Sequence, residues 1–106
     1  LIETLEFRGL TINKLRQEVF LKDKKITLST TEYEALVLFA ENPGRELDRE
    51  FLVENLRGIR WQSYDRSIDV LVSRLRVKLG DSPESINYIK TIHGVGYMFI
   101  GESKNK

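Results

Sequence analysis

Asp65-Arg66-Ser67-Ile68-Asp69-Val70-Leu71-Val72-Ser73-Arg74-Leu75-Arg76-Val77-Lys78-Leu79 is the stretch whose reading decides the fold. Wound at about 100° per residue, it sorts into two faces of opposite chemistry. Ile68, Val72, Leu75 and Leu79 fall on one stripe, while Arg66, Val70, Ser73, Arg74 and Val77 lie almost opposite, with Ser67 and Lys78 alongside. The outer side therefore mixes guanidinium forks, hydroxyls and β-branched methyls, a surface suited to the major groove of DNA. Arginine pairs bidentately with guanine, valine touches a thymine methyl, and serine holds a phosphate or a base edge. An ordinary amphipathic helix with a solvated charged face shows the same pattern, and on this helix alone both readings stand. Asp69 and Arg76 fall nearer the buried side, which marks each as an internal ion-pair member rather than a reader of bases.

The surroundings of this helix narrow the choice. With 106 residues, 41% hydrophobic and 31% charged, the chain forms one globular domain over residues 1–101 followed by a polar tail at 102–106, expected to fray. No cysteine is present, so disulfides, zinc-thiolate sites and thiol nucleophiles are excluded, and His93 alone cannot build a metal site. No cofactor is expected. No apolar run exceeds Ala35 to Ala40, and no signal-peptide core opens the chain, so no membrane partner is expected and the implied compartment is the cytoplasm. A leucine at position 1 suggests a piece of a longer protein.

The net charge of +1 is small, but its distribution is polarised. Residues 29–56 carry seven acids against Arg45 and Arg49, a net of −5, whereas residues 57–80 carry six bases against Asp65 and Asp69, a net of +4. One face can attract phosphate while another repels it or meets a protein.

Four short runs precede the helices: Leu5 to Phe7, Leu10 to Ile12, Val19 to Leu21 and Ile26 to Leu28. They read as strands of a small antiparallel sheet, with Lys22 to Lys25 as a turn. Ser29-Thr30-Thr31-Glu32 has capping-box spacing and starts a helix whose buried stripe is Tyr33, Leu36, Val37 and Ala40. Asn42-Pro43-Gly44 ends it. Asp48 caps a second helix carrying Phe51, Leu52 and Leu56 that stops at Gly58. A loop follows, in which Trp61 is read either as an edge-of-core anchor or as a protein or nucleic-acid contact. Beyond the third helix, Tyr88 to Ile92 and Tyr97 to Ile100 form strands around His93-Gly94-Val95-Gly96. That glycine pair is no phosphate loop, because Phe99 stands where a third glycine is needed and strand residues follow where a helix is needed. Two glycines at a hairpin tip mark positive φ or close backbone approach instead. No nucleophile–base or metal constellation is present, so the chain does not read as an enzyme.

Strands, three helices and a hairpin, in that order, give an α+β winged helix-turn-helix. The chain resembles the C-terminal DNA-binding domain of OmpR/PhoB-type response regulators along nearly its whole length. The resemblance rests on Leu28 to Leu36, Asn42 to Arg45, Asp48 to Leu52, Asp65 to Leu79, and Ile89-Lys90-Thr91-Ile92-His93-Gly94-Val95-Gly96-Tyr97. Asn55-Leu56-Arg57-Gly58 followed by Tyr64-Asp65-Arg66-Ser67 resembles the RstA-like branch.

The resemblance implies an N-terminal four-stranded antiparallel sheet, a third helix in the major groove and a β-hairpin wing at the adjacent minor groove. Matching positions then assign DNA contact to Arg66, Ser67, Val70, Leu71, Ser73, Arg74 and Lys78 on the helix, and to Arg57, Thr91, His93, Gly94 and Tyr97 in the wing and backbone set. It further implies a loop at Arg60, Trp61 and Gln62 that meets RNA polymerase. An upstream receiver domain would be phosphorylated by a sensor kinase, and the isolated domain, a monomer, would bind double-stranded DNA as a tandem dimer on direct repeats. Leu71 replaces a common histidine, Ser73 stands where some relatives have arginine, and Arg57 stands where many have tryptophan, so sequence preference is expected to differ. Two other functions fit the same fold: a protein-interaction module without DNA binding, and the cytoplasmic part of a membrane-anchored one-component activator.

Overall fold

The computed structural model describes residues 3–56 and 64–104, with residues 64–67 described through their backbone alone. Four strands come first: β1 (Thr4–Phe7), β2 (Leu10–Asn13), β3 (Glu18–Leu21) and β4 (Lys24–Ile26), paired antiparallel in sequence order. The fourth strand lies earlier than the expected Ile26 to Leu28. Lys22 and Asp23 both adopt left-handed backbone, with φ of 51° and 69°, and the two-residue turn brings Lys24 directly opposite Leu21. Turns of this hand match the twist of the strands they join, which favours the tight connection over the longer one the lysines suggest.

The expectation of a frayed tail is corrected for residues 102–104, and residues 105–106 lie outside the described residues. Arg8 donates its N–H to the Glu102 carbonyl at 2.8 Å, and Lys104 donates to Glu6 at 2.9 Å, so residues 102–104 run along the outer edge of β1. An edge strand presents a row of unpaired amides and carbonyls, and the polar tail satisfies them.

Ser29 caps α1 (Thr30–Ala40): its hydroxyl accepts from Glu32 N–H at 3.2 Å, and its own N–H donates to the Glu32 carboxylate at 2.9 Å. The buried face of α1 consists of Ala35, Leu36, Phe39 and Ala40 with Glu32, while Tyr33 and Val37 are half-buried. The face is turned from the expected stripe because Phe39 is fully buried, and a phenyl ring removes more apolar area from water than Tyr33 or Val37 does. Next comes β5 (Glu46–Asp48), a strand the sequence pattern does not show, and Asp48 caps α2 (Arg49–Asn55) by accepting from Phe51 N–H at 2.8 Å. The helix ends at Asn55 and Leu56 is already extended, so α2 is shorter than the expected run through Leu56 to a stop at Gly58, which itself lies outside the described residues.

The helix α3 (Tyr64–Leu79) buries Ile68, Val72, Leu75 and Leu79 as the stripe predicts, together with Leu71. Gly80 and Asp81 donate their N–H groups back to the Val77 and Arg76 carbonyls at 3.1 and 2.9 Å, ending the helix in a left-handed stop. The Asp81 carboxylate, 8% exposed, then accepts from the backbone N–H groups of Asn87, Tyr88 and Ile89 at 2.8, 3.1 and 3.0 Å. A carboxylate can be buried at such a point because three amides replace its water. The exit of α3 and the start of β6 (Ile89–Ile92) are thereby held together.

The strand β6 pairs with β7 (Gly96–Phe99), and β5 pairs with the far side of β7, giving a three-stranded sheet of order β5-β7-β6. Both glycine expectations hold, one in the connecting turn and one at the first residue of β7. Gly94 has φ of 79°, and a Cβ on Gly96 would collide with the Leu47 carbonyl oxygen on β5. Phe99 meets Phe7 edge to face at 4.8 Å, and Tyr88 donates its hydroxyl to the Arg8 carbonyl at 2.9 Å, joining the N-terminal sheet to the hairpin across one core.

Leu75 is fully buried at the centre of α3. Truncating it to alanine is expected to cost about 2 to 5 kcal/mol. Chemical denaturation measures this, and an unchanged midpoint would contradict the placement of the helix.

Candidate nucleic-acid interface

Once the apolar stripe of α3 is packed, its other side is left in water. Val70 is 45% exposed and Val77 74%, with Ser73 and Arg74 exposed between them. Arg74 makes no hydrogen bond or ion pair among the described residues, so its guanidinium is available to an external acceptor. Arg66 and Ser67 occupy the first turns of the same helix, with side chains outside the described set. Beside this face stands the β6–β7 hairpin, whose tip exposes His93, Gly94 and Val95. One helix face and one hairpin tip are therefore free together.

Polar contacts fix these two elements to each other. Arg76 donates from Nη2 to the Thr91 hydroxyl on β6 at 2.5 Å, and its guanidinium lies 5.2 Å from the centre of the Tyr97 ring on β7. Tyr97 donates its hydroxyl to Asp69 Oδ1 at 2.5 Å. Arg49, from the first turn of α2, approaches the same oxygen through Nε at 3.0 Å and Nη2 at 2.9 Å, with its guanidinium 5.7 Å from the Tyr97 ring centre. The ring thus contacts two guanidinium groups. Burial, then the hydrogen bond to Asp69 and its charge, raise the Tyr97 hydroxyl above its ordinary value of 10.0 despite the opposing charges of Arg49 and Arg76, so it remains a donor at neutral pH.

Several sequence expectations change at this point. Leu71 was expected on DNA but is 8% exposed, because at about 100° per residue it borders the Ile68–Leu75 stripe and packs with it. Lys78 was expected on DNA, yet its ammonium pairs with the buried Glu32 carboxylate at 2.6 Å, where it neutralises the α1 capping box. Asp69 and Arg76 were expected as internal ion-pair members: Asp69 does pair, with Arg49, but its side chain is 47% exposed, and Arg76 makes no ion pair among the described residues and turns to Thr91 and Tyr97. Thr91 and Tyr97 were expected on phosphate, whereas their hydroxyls are engaged within the protein and Tyr97 is 6% exposed. Arg57, Arg60, Trp61 and Gln62 lie outside the described residues. Sequence reading missed Arg49 and Asp81, whose partners are far away in sequence or belong to the backbone.

Among the described residues no three His, Asp or Glu side chains could hold a metal ion, and no helix is long and apolar enough to cross a membrane. Residues 23–99 match the family described as transcriptional regulatory protein, C terminal. The chain belongs to the C-terminal DNA-binding domains of OmpR/PhoB-type response regulators.

Within this family it is 41% identical over 97 residues to the transcriptional regulatory protein RstA of Escherichia coli, a match covering 92% of this chain and 41% of that protein. The chain thus spans about two-fifths of the length of that curated relative. The RstA DNA-binding domain of Klebsiella pneumoniae, solved in complex with the RstA box, superposes with a TM-score of 0.84 at 38% identity, covering 93% of this chain and 98% of that one. The Thermotoga maritima response regulator DrrB, an OmpR/PhoB homolog, also reaches 0.84, at 40% identity, over 93% of this chain and 45% of its own. These matches place the chain in the RstA-like branch of a family of non-enzymatic regulators, with the winged-helix fold expected from the order of its elements.

The pairing of Glu32 with Lys78 has a pH signature. Burial opposes the Glu32 charge, but Lys78 and the Ser29 donors outweigh it and hold the carboxyl below its ordinary value of 4.5. A carboxyl depressed by folding contributes stability that is complete above its unfolded value and vanishes as pH falls through the folded one. Glu32→Gln is therefore expected to destabilise at pH 7 and to converge on the parent in acid. Denaturation midpoints of both proteins from pH 7 to pH 3 test this, and a gap that stays constant contradicts the pairing.

Proposed function

We propose that this domain binds double-stranded DNA in a sequence-specific manner as the effector part of a two-component response regulator. The α3 face of Val70, Ser73, Arg74 and Val77 enters the major groove, with Arg66 and Ser67 at the leading turns. The β6–β7 wing presents His93 and Gly94 to the adjacent minor groove. The observation that carries this reading is the pairing of a guanidinium without a partner among the described residues, Arg74, with two exposed valines on either side of it. Such a surface matches a partner that offers both acceptors and methyl groups, as the floor of a major groove does.

The family resemblance extends the proposal. A receiver domain precedes this one in the full protein and takes phosphate from a sensor kinase. The isolated domain is monomeric, and two copies occupy direct repeats in tandem. The segment Gly58 to Tyr64, with Arg60, Trp61 and Gln62, meets RNA polymerase. These partners place the whole protein in the cytoplasm.

Arg74→Ala is expected to fold normally and to lose about 1 to 3 kcal/mol of preference for the cognate site while keeping most of its affinity for random duplex. Equal losses on both duplexes would make Arg74 a phosphate anchor instead of a base reader. Affinity of the unaltered domain should fall with salt at a log–log slope of about −0.9 per phosphate neutralised. Absence of binding to any duplex at low salt would replace this reading with the protein-interaction alternative.

A further inference from the structure

Asp69 stands in an unusual place for an acid. It lies on the flank of α3 next to the face proposed to meet DNA, its side chain is 47% exposed, and every duplex that approaches brings negative phosphates. Three donors converge on its single oxygen Oδ1: Arg49 Nε and Nη2, at 3.0 and 2.9 Å, and the Tyr97 hydroxyl, at 2.5 Å. A guanidinium edge on one anionic oxygen is also the contact that a phosphate oxygen accepts. The donors come from two separate elements, α2 and β7, and the acceptor from a third, α3, so the cradle is built by the tertiary fold.

We propose that the Asp69 carboxylate is an internal stand-in for a DNA phosphate. It occupies the Arg49–Tyr97 cradle in the free domain, and on binding a backbone phosphate takes its place on the exposed Arg49 guanidinium while the Tyr97 hydroxyl stays on Asp69. The inference rests on the DNA-binding reading above and adds a competitor built into the protein. Arg49 is 39% exposed, so a phosphate can reach it without opening the core. A solvent-exposed ion pair contributes little to stability, so its exchange for a phosphate is affordable to the fold. The effect is to lower backbone affinity for every duplex alike. Discrimination is then left to the bases read by the exposed face of α3.

Asp69→Asn tests this, since asparagine keeps the shape and one acceptor oxygen but drops the charge that competes with phosphate. The variant is expected to bind cognate and random duplex more tightly than the parent at low salt. Its salt slope should be steeper by about 0.9, so its advantage should shrink roughly 3.5-fold between 50 and 200 mM salt. Adding Arg49→Gln to Asp69→Asn should abolish the gain. If Asp69 only holds α3 against the wing, Asp69→Asn will leave affinity unchanged or weaken it on both duplexes, and the proposal is overturned. Should the variant fail to fold, the carbon-13 signal of the Asp69 carboxyl in the unaltered protein carries the same question. A shift on adding duplex supports the exchange, and a resonance that stays in place overturns it. If the unaltered protein binds no duplex at all, the DNA-binding reading fails first and this inference falls with it.

Discussion

Ile68, Val72, Leu75 and Leu79 must leave water together, and that requirement governs the rest of the molecule. Seating this stripe fixes the rotation of α3 about its axis, which decides that Val70, Ser73, Arg74 and Val77 face out. A rotation by one residue would move an arginine into the core, at a far greater cost than any surface contact could return. The exposed face is therefore as well specified as the buried one, although it contributes little to stability itself.

Seating one helix would leave the wing free to drift, and polar contacts prevent it. Asp81 accepts three backbone amides at the point where α3 ends and the approach to β6 begins. Arg76 reaches Thr91 farther along the hairpin, and Tyr97 reaches Asp69 from β7. These contacts are spread along the length of α3, so they resist both sliding and tilting. Two elements that enter neighbouring grooves need such a fixed relation, because a rigid pair loses less freedom on binding than a loose one.

The same contacts redistribute charge. Lys78 is committed to Glu32, and Arg49, from outside the span, neutralises Asp69, so the positive excess counted along residues 57–80 keeps its size but no longer rests on Lys78. At the centre of the exposed face Arg74 makes no ion pair among the described residues. A modest net charge is compatible with DNA binding when the cations left free stand on one face.

Local chemistry settled much of this in advance. The capping box at Ser29, the N-cap at Asp48, the buried stripe of α3 and the glycine turn of the wing are short-range patterns, and each appears where the residues place it. The family too was legible from the motifs of α3 and the wing. Tertiary structure alone decided the strand β5, since three residues pair only because β7 arrives beside them, and it decided the tail, which β1 captures through its unpaired edge. Leu71, Lys78, Thr91 and Tyr97 looked available because a helical wheel or a motif carries no information about neighbours, and each is claimed by a residue or a core distant in the chain. Sequence periodicity determines which side of an element avoids water, whereas the partner of a polar group depends on which elements fold against it.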